Sequence, residues 1–125
     1  IYIFARRNAR LPLFELFDRP DALASCARRN ESTIAPQALM MLNSEWVHEI
    51  AGKLAANLAR EHGSDTAAII EAAALTCLSR PATQDEQEAG RAFLESQTAL
   101  AGGFTQALHD YCLAVLNCNE FVFVD

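Results

Sequence analysis

The sequence predicts a mainly α fold: a bundle of about four to five helices with a long N-terminal loop. A short two-stranded ribbon could join the termini. Three observations carry this expectation. Apolar residues recur at helical spacing through most of residues 33–118. Capping residues and helix breakers punctuate that stretch at regular intervals. Extended, aromatic and β-branched runs stand only at the two ends, at Ile1–Phe4 and at Phe121–Val124. With 125 residues the chain reads as a single helical domain that buries roughly two thirds of its unfolded surface. Its parts are a basic leading segment (1–32), a helical body (33–118) and an extended tail (119–125). The opening Ile-Tyr-Ile-Phe lacks a methionine, so the chain reads as a fragment of something longer.

The elements follow in order. Ile1–Ala5 reads as a short strand. Pro12 suits a first helical turn and opens a short helix through Leu13, Phe14, Leu16 and Phe17. Asp18-Arg19-Pro20-Asp21 ends it, and residues 18–32 form the longest irregular stretch. The first main helix starts near Pro36, with Thr33 or Ala35 as its cap and Gln37 in reach of the cap backbone. Asn43-Ser44 interrupts it, because both side chains compete for backbone hydrogen bonds. Ser44 caps a second helix carrying Trp46, Val47, Ile50, Ala51, Leu54 and Leu58 at helical spacing. Gly63 stops that helix, and Asp65 caps a third from about Thr66 to Ser79. Arg80-Pro81 breaks the chain again.

Thr83-Gln84-Asp85-Glu86 has the pattern of a capping box, with Thr83 and Glu86 as reciprocal partners. Phe93, Leu94 and Leu100 are the apolar anchors of the helix it opens, and Gly102-Gly103 ends it. The last helix presents Phe104, Ala107, Leu108, Tyr111, Cys112 and Val115 on one face. Leu39–Val47 resembles Leu113–Val122 with one residue inserted. In both, a helix ends in Leu-Asn-small before an aromatic, and two copies are too few for a solenoid.

Hydrophobic residues make up 51% and charged residues 21% of the chain, a globular composition. No apolar run approaches the roughly 18–20 residues of a membrane span, and no signal-peptide pattern is present. The net charge of −6 argues against nucleic acid as a partner. The charge is unevenly spread. Residues 1–30 hold six arginines against three acids, whereas residues 31–125 hold four basic and thirteen acidic side chains. Arg6-Arg7-Asn8 and Arg28-Arg29-Asn30 stand out in the basic segment. Arg6, Arg7, Arg28, Arg29 and Asn30 are candidates for an anion or interface site, because arginine forks bind carboxylates bidentately. The same side chains can instead fasten the long loop through its carbonyl groups.

Nothing in the chain reads as a catalytic constellation. Cys26, Cys77, Cys112 and Cys118 form no Cys-x-x-Cys, and His48, His62 and His109 share no metal-ligand spacing with them. No metal site and no cofactor is therefore expected in this chain. Cys77, Cys112 and Cys118 sit among apolar residues and read as small core residues, with the disulfide state open. Ser25-Cys26 is the one pair in the long loop placed to act as a nucleophile, but no base accompanies it. His109 and Asp110, as helical neighbours, are expected to diverge. Glu45, Glu49 and Lys53 follow ordinary helix-face pairing.

The run RRNARLPLFELFDRPDALASCARRNESTIAPQALMMLNS, with its Arg-Arg-Asn-x-Ser-Thr-x-Ala-Pro-Gln-Ala-Leu core, resembles a known family. It is the C-terminal domain of unknown function of large planctomycete-type proteins, which often carry an upstream cytochrome c-like module. Ile1–Phe4, Leu78-Ser79-Arg80-Pro81 with Thr83 and Glu86, and Leu116-Asn117-Cys118-Asn119-Glu120-Phe121 fit as well. The family often has proline where Glu45 stands and serine where Cys118 stands. The resemblance implies an exported, periplasmic or cell-envelope protein, with any haem confined to the upstream module. It brings no catalytic residues.

Two functions follow from this reading. The first is a non-catalytic helical interaction or scaffolding domain of a larger protein linked to electron transfer or polymer breakdown. Its partners would be the upstream domains of the same polypeptide. The second is part of an enzyme or carbohydrate-binding unit, with the arginines gripping an anionic carbohydrate in a site completed by the upstream region.

Overall fold

The described residues are helical apart from short connections, the longest of them at 79–83, and most helix boundaries can be traced to a local cause. The structure, a computed structural model, describes residues 35–122. The chain divides into two compact units, Ile1–Met41 and Leu42–Asp125. The described part of the second unit is the bundle treated below. Helix α1 spans Ala35–Asn43 and α2 spans Glu45–His62, with only Ser44 between them. Ser44 holds the extended backbone of an N-cap (φ −74°, ψ 122°), but its hydroxyl makes no capping hydrogen bond. The Ser44 carbonyl accepts the first intrahelical bond, from His48 N at 3.0 Å.

Gly63 ends α2 with φ +62°, a left-handed backbone that an L side chain rarely adopts. Helix α3 spans Thr66–Leu78, and the Asp65 carboxylate accepts hydrogen bonds from Ala67 N at 3.1 Å and Ala68 N at 3.2 Å. These bonds satisfy two otherwise unpartnered amides of the first turn. Asp65→Ala is expected to cost about 1 kcal/mol of stability. A parallel shift of the urea-denaturation midpoint, with unchanged slope, checks this.

Ser79 at φ 57° turns the chain out of α3. Helix α4 spans Gln84–Leu100 and opens on a complete capping box. Glu86 N donates to Thr83 Oγ1 at 3.3 Å, and Thr83 N donates to Glu86 Oε2 at 2.8 Å. Gly102 and Gly103, at φ +81° and +149°, turn the chain into α5, Phe104–Leu116. A last short helix, α6, spans Asn119–Val122.

This last element corrects the expectation of an extended tail after Asn117. Phe121 N and Val122 N both donate to the Cys118 carbonyl, at 3.1 and 3.2 Å, so the backbone closes a helical turn. The expected strand partner at Phe121–Val122 is therefore helical. Phe123, Val124 and Ile1–Phe4 lie outside the described residues, as do the predicted helix at 12–17 and the loop at 18–32.

In the bundle, α5 packs against α2 on one side and against α4 on the other, while α3 packs on α4 and α2. Ile69, Ile70, Leu94, Leu108, Val47 and Cys112 are its largest fully buried side chains. The buried stripe of α2 is Val47, Ala51, Ala55 and Leu58. Trp46, expected on that face, is 56% exposed. Small Ala51 and Ala55 let another backbone approach closely, which centres the stripe one position away from the tryptophan. Leu100 is likewise no anchor: it is 79% exposed at the end of α4. Cys77, Cys112 and Cys118 are all free thiols, with Cys112 wholly buried and the other two half-buried.

Candidate functional site

Three helices of the bundle leave an apolar cleft between them. Ile70, Ala74 and Leu78 of α3 form one wall, and Ala89, Gly90 and Phe93 of α4 form the second. Tyr111, Ala114 and Val115 of α5 form the third, with Ala82, Glu86 and Cys118 at its margins. Its volume is about 280 Å³. The helices approach closely here because position 90 is glycine. A Cβ on Gly90 would lie 3.0 Å from Cγ1 and Cδ1 of Ile70 and 3.3 Å from Cε2 of Tyr111. The rings of Phe93 and Tyr111 meet at 6.1 Å with an interplanar angle of 52°. Burial pushes the Tyr111 phenol up to about 12, so it stays protonated at neutral pH.

The polar edge of the cleft is a three-residue ion network. Arg80 donates through Nη1 to Glu86 Oε2 at 2.8 Å and through Nη2 to Glu86 Oε1 at 2.7 Å. Its Nε and Nη2 donate to Oε1 and Oε2 of Glu120, each at 2.6 Å. Nη1 also reaches the Pro81 carbonyl at 3.1 Å. One planar guanidinium thus holds two carboxylates by parallel pairs of bonds, a geometry that lysine lacks. Glu86 belongs at once to the capping box of α4 and to this network, and Glu120 attaches α6 to it. Glu71 braces the same corner, its Oε2 accepting from Ala82 N at 3.1 Å.

These bonds make the corner sensitive to acid. Hydrogen bonding to Arg80 is the main cause that lowers the Glu86 carboxyl from 4.5 to about 2, and Arg80 lowers Glu120 in the same way. A carboxylate whose pKa is lower in the folded state binds fewer protons there than in the unfolded chain. Its contribution is therefore fully present above 4.5 and is lost as pH falls from 4.5 toward about 2. The side chains of Arg80, Glu86 and Glu120 are 32, 40 and 49% exposed, so solvent screening keeps the contribution modest. Urea midpoints should fall across that window, and Glu86→Gln should flatten the fall. Added salt should weaken the difference between the two proteins.

A second polar cluster joins α2 and α5. The rings of His48 and His109 stack at 5.4 Å, 14° from parallel. His48 Nε2 lies 2.9 Å from the Leu42 carbonyl, and His109 Nε2 lies 3.3 Å from the His48 carbonyl. That placement turns His109 Nδ1 back to Asp110 Oδ1 at 3.1 Å, where helical neighbours were expected to diverge. Gln106 Nε2 donates to the same oxygen at 2.9 Å. The Glu49–Lys53 pair is made at 2.6 Å on the exposed face of α2.

Of the residues singled out by sequence, Thr83, Glu86 and Asp65 occupy cap positions with their side chains engaged, and Ser44 occupies one without. Arg6, Arg7, Arg28, Arg29, Asn30 and Cys26 lie outside the described residues. Among the described residues, no group of three His, Cys, Asp or Glu side chains is arranged to hold a metal ion. None of the described helices is long and apolar enough to cross a membrane.

The model of a family described as "PSD1: Protein of unknown function (DUF1553)" matches residues 1–94. The chain belongs to this family. The matched stretch takes in α1, α2, α3 and the first two turns and more of α4. Helices α5 and α6, which bring Tyr111, Cys118 and Glu120 to the cleft and its edge, follow it. No curated protein and no solved structure matches the chain.

Sequence reasoning passed over the role of Arg80, read only as part of a break, and over Gly90, which carries no turn. For Arg80 a signal existed. The family-like segments Leu78–Pro81 with Thr83 and Glu86, and Leu116–Phe121, contain all three members of the ion network. Gly90 had none, because its close neighbours are on other helices.

Proposed function

We propose that this chain is a non-catalytic helical interaction, or scaffolding, domain of a larger exported protein. That protein belongs to the cell envelope and is linked to electron transfer or polymer breakdown. The partners are the upstream domains of the same polypeptide, and any haem of the assembly belongs to an upstream cytochrome c-like module. The likeness to planctomycete-type proteins supports this setting.

The observation that carries the reading is the chemistry of the cleft. Its walls are hydrocarbon, and burying apolar surface against them is favourable by about 25 cal/mol per Å². The Glu86 carboxylate at its margin has both oxygens engaged, one by Arg80 alone and the other by Arg80 and the Thr83 amide. Such a group positions structure and is not poised to take a proton. A volume of about 280 Å³ is nearly twice that of an engineered ~150 Å³ cavity that binds benzene. It falls just short of the ~300–1,000 Å³ typical of drug-sized ligand sites. It suits roughly one or two apolar side chains of a docking segment.

The test is a binding titration between this chain, fluorescently labelled, and separately expressed upstream domains. Ala89 and Ala114 line the cleft from exposed helix positions. Ala89→Leu with Ala114→Leu therefore fills the space without removing core contacts. Saturable binding that the double variant weakens by about tenfold or more, at unchanged Tm, supports the reading. Binding that the filled cleft leaves untouched, or no binding at all, overturns it.

A further inference from the structure

Two half-buried thiols from distant parts of the sequence lie close to the cleft: Cys118 lines it, and Cys77 directly precedes the lining residue Leu78. Cys77 lies in the last turn of α3 beside Leu78, and Cys118 lies at the bend between α5 and α6. Leu78 and Cys118 both line the cleft. Arg80 follows Cys77 by three residues and Glu120 follows Cys118 by two, and these two side chains are joined by paired bonds of 2.6 Å. The ion pair holds the chain leaving α3 against α6, so the two cysteine-bearing segments stay side by side. The Cys77 thiol is also within electrostatic reach of Cys118, whose charge opposes its ionisation.

A third thiol, Cys112, interacts electrostatically with Cys77 as well, but it is wholly buried within α5. A disulfide needs Cα atoms roughly 4.4–6.8 Å apart and a specific dihedral. A cysteine at a bend can shift its backbone to meet those demands. One inside a packed helix moves only with the helix. Cys118, half-buried at the bend, has the access that Cys112 lacks.

We propose that Cys77 and Cys118 are a redox-responsive pair, which a small-molecule disulfide such as oxidised glutathione converts into a Cys77–Cys118 disulfide across the cleft rim. The Cys118 thiolate attacks one sulfur of the glutathione disulfide. A new S–S bond forms to Cys118, the old one breaks, and one glutathione leaves as thiolate. The Cys77 thiolate then attacks Cys118 Sγ and expels the second glutathione. The two protons lost by the cysteines are taken up by the two departing thiolates. The chain is oxidised by two electrons, and one glutathione disulfide is reduced to two thiols. The new bond pins the end of α3 to the α5–α6 bend and locks one edge of the cleft. This inference is independent of what occupies the cleft.

The experiment equilibrates the reduced, desalted chain with oxidised and reduced glutathione. Free thiols are then counted under denaturing conditions, and non-reduced digests are sequenced by tandem mass spectrometry. The chain has four cysteines, so the expected result is a fall from four titratable thiols to two. A Cys77–Cys118 cross-linked peptide should appear, and dithiothreitol should reverse both changes. Closing so long a loop should raise Tm by roughly 10 °C. Cys112→Ala should retain the cross-link, whereas Cys77→Ser and Cys118→Ser should each abolish it. Four thiols persisting in fully oxidised glutathione would overturn the proposal. So would a cross-link from Cys77 to Cys112 or Cys26, or a glutathione adduct on Cys118 that never resolves.

Discussion

Leu94→Ala is expected to destabilise the bundle by about 3 kcal/mol, within the range of 2–5 kcal/mol for leucine truncated in a packed core. Leu94 is 1% exposed, among the largest fully buried side chains of the bundle. Neighbouring helices α3 and α5 both lean on α4 and hold their own spacing. For a unit of this size each kcal/mol moves Tm by about 4–8 °C, so a drop of roughly 10 °C or more should be seen. Leu100→Ala, on the same helix, is the internal control. Its side chain is 79% exposed, and the change should stay within about 0.5 kcal/mol. Equal effects of the two substitutions would mean that the face of α4 is wrongly assigned. Chemical denaturation of both variants beside the parent decides the matter.

Gly90→Val should be the second most damaging single change, and here two opposing effects must be weighed. Gly90 has helical backbone, so alanine there gains about 0.5–1 kcal/mol of helix propensity over glycine. Against that, the added Cβ meets two carbons of Ile70 at 3.0 Å and one of Tyr111 at 3.3 Å. Ile70 is itself 1% exposed and packed in the core, with the cleft on one side of it. Overpacking of this kind costs about 1–3 kcal/mol. For Gly90→Ala the two effects nearly cancel, leaving a loss of about 1 kcal/mol at most. Valine adds two methyl groups and loses part of the propensity gain, so its net loss should reach about 2 kcal/mol. A graded series, with glycine most stable and valine least, checks the argument. A stabilised Gly90→Ala variant would show that Ile70 can move and that the helices are not in tight contact there.

How much of this was legible in advance depends on the range of each interaction. The capping box at Thr83 and Glu86 and the cap at Asp65 operate within three residues, so a short stretch of sequence contains both partners. Gly63 and the Gly102–Gly103 pair stop helices by local backbone preference alone. The break at Ser44 was visible, but the expected cap bond was not made. The extended reading of Phe121–Val122 rested on β-branched and aromatic content, and four residues of content are a weak guide once the Cys118 carbonyl is in place to close a turn.

Faces were harder to read than boundaries. On α2, Trp46, Ile50 and Leu54 make one stripe, while Val47, Ala51, Ala55 and Leu58 make the adjacent one. Composition favours the first because it holds larger side chains. Packing chose the second, whose alanines let another helix come close. Leu100 reads as core from its chemistry and is solvent-facing from its position at the last residue of α4. The cleft and its polar edge were not readable at all. Arg80 and Glu120 are forty residues apart in sequence, and His109 reaches the backbone of a residue sixty-one positions away. No periodicity connects such pairs.

By itself, then, the sequence determined the helical class, the number of helices in the body to within one, and nearly every place where a helix starts or stops. Those properties follow from backbone conformations and hydrogen bonds that close within a single turn. Tertiary structure decided which stripe of each helix is buried, how α3, α4 and α5 frame a cleft around Gly90, and that one arginine joins the start of α4 to α6. It also decided that the chain segments bearing Cys77 and Cys118, far apart in sequence, are tied together by the Arg80–Glu120 pair. These depend on how whole helices fit against one another, a matter of shape and volume summed over the bundle that no local pattern encodes.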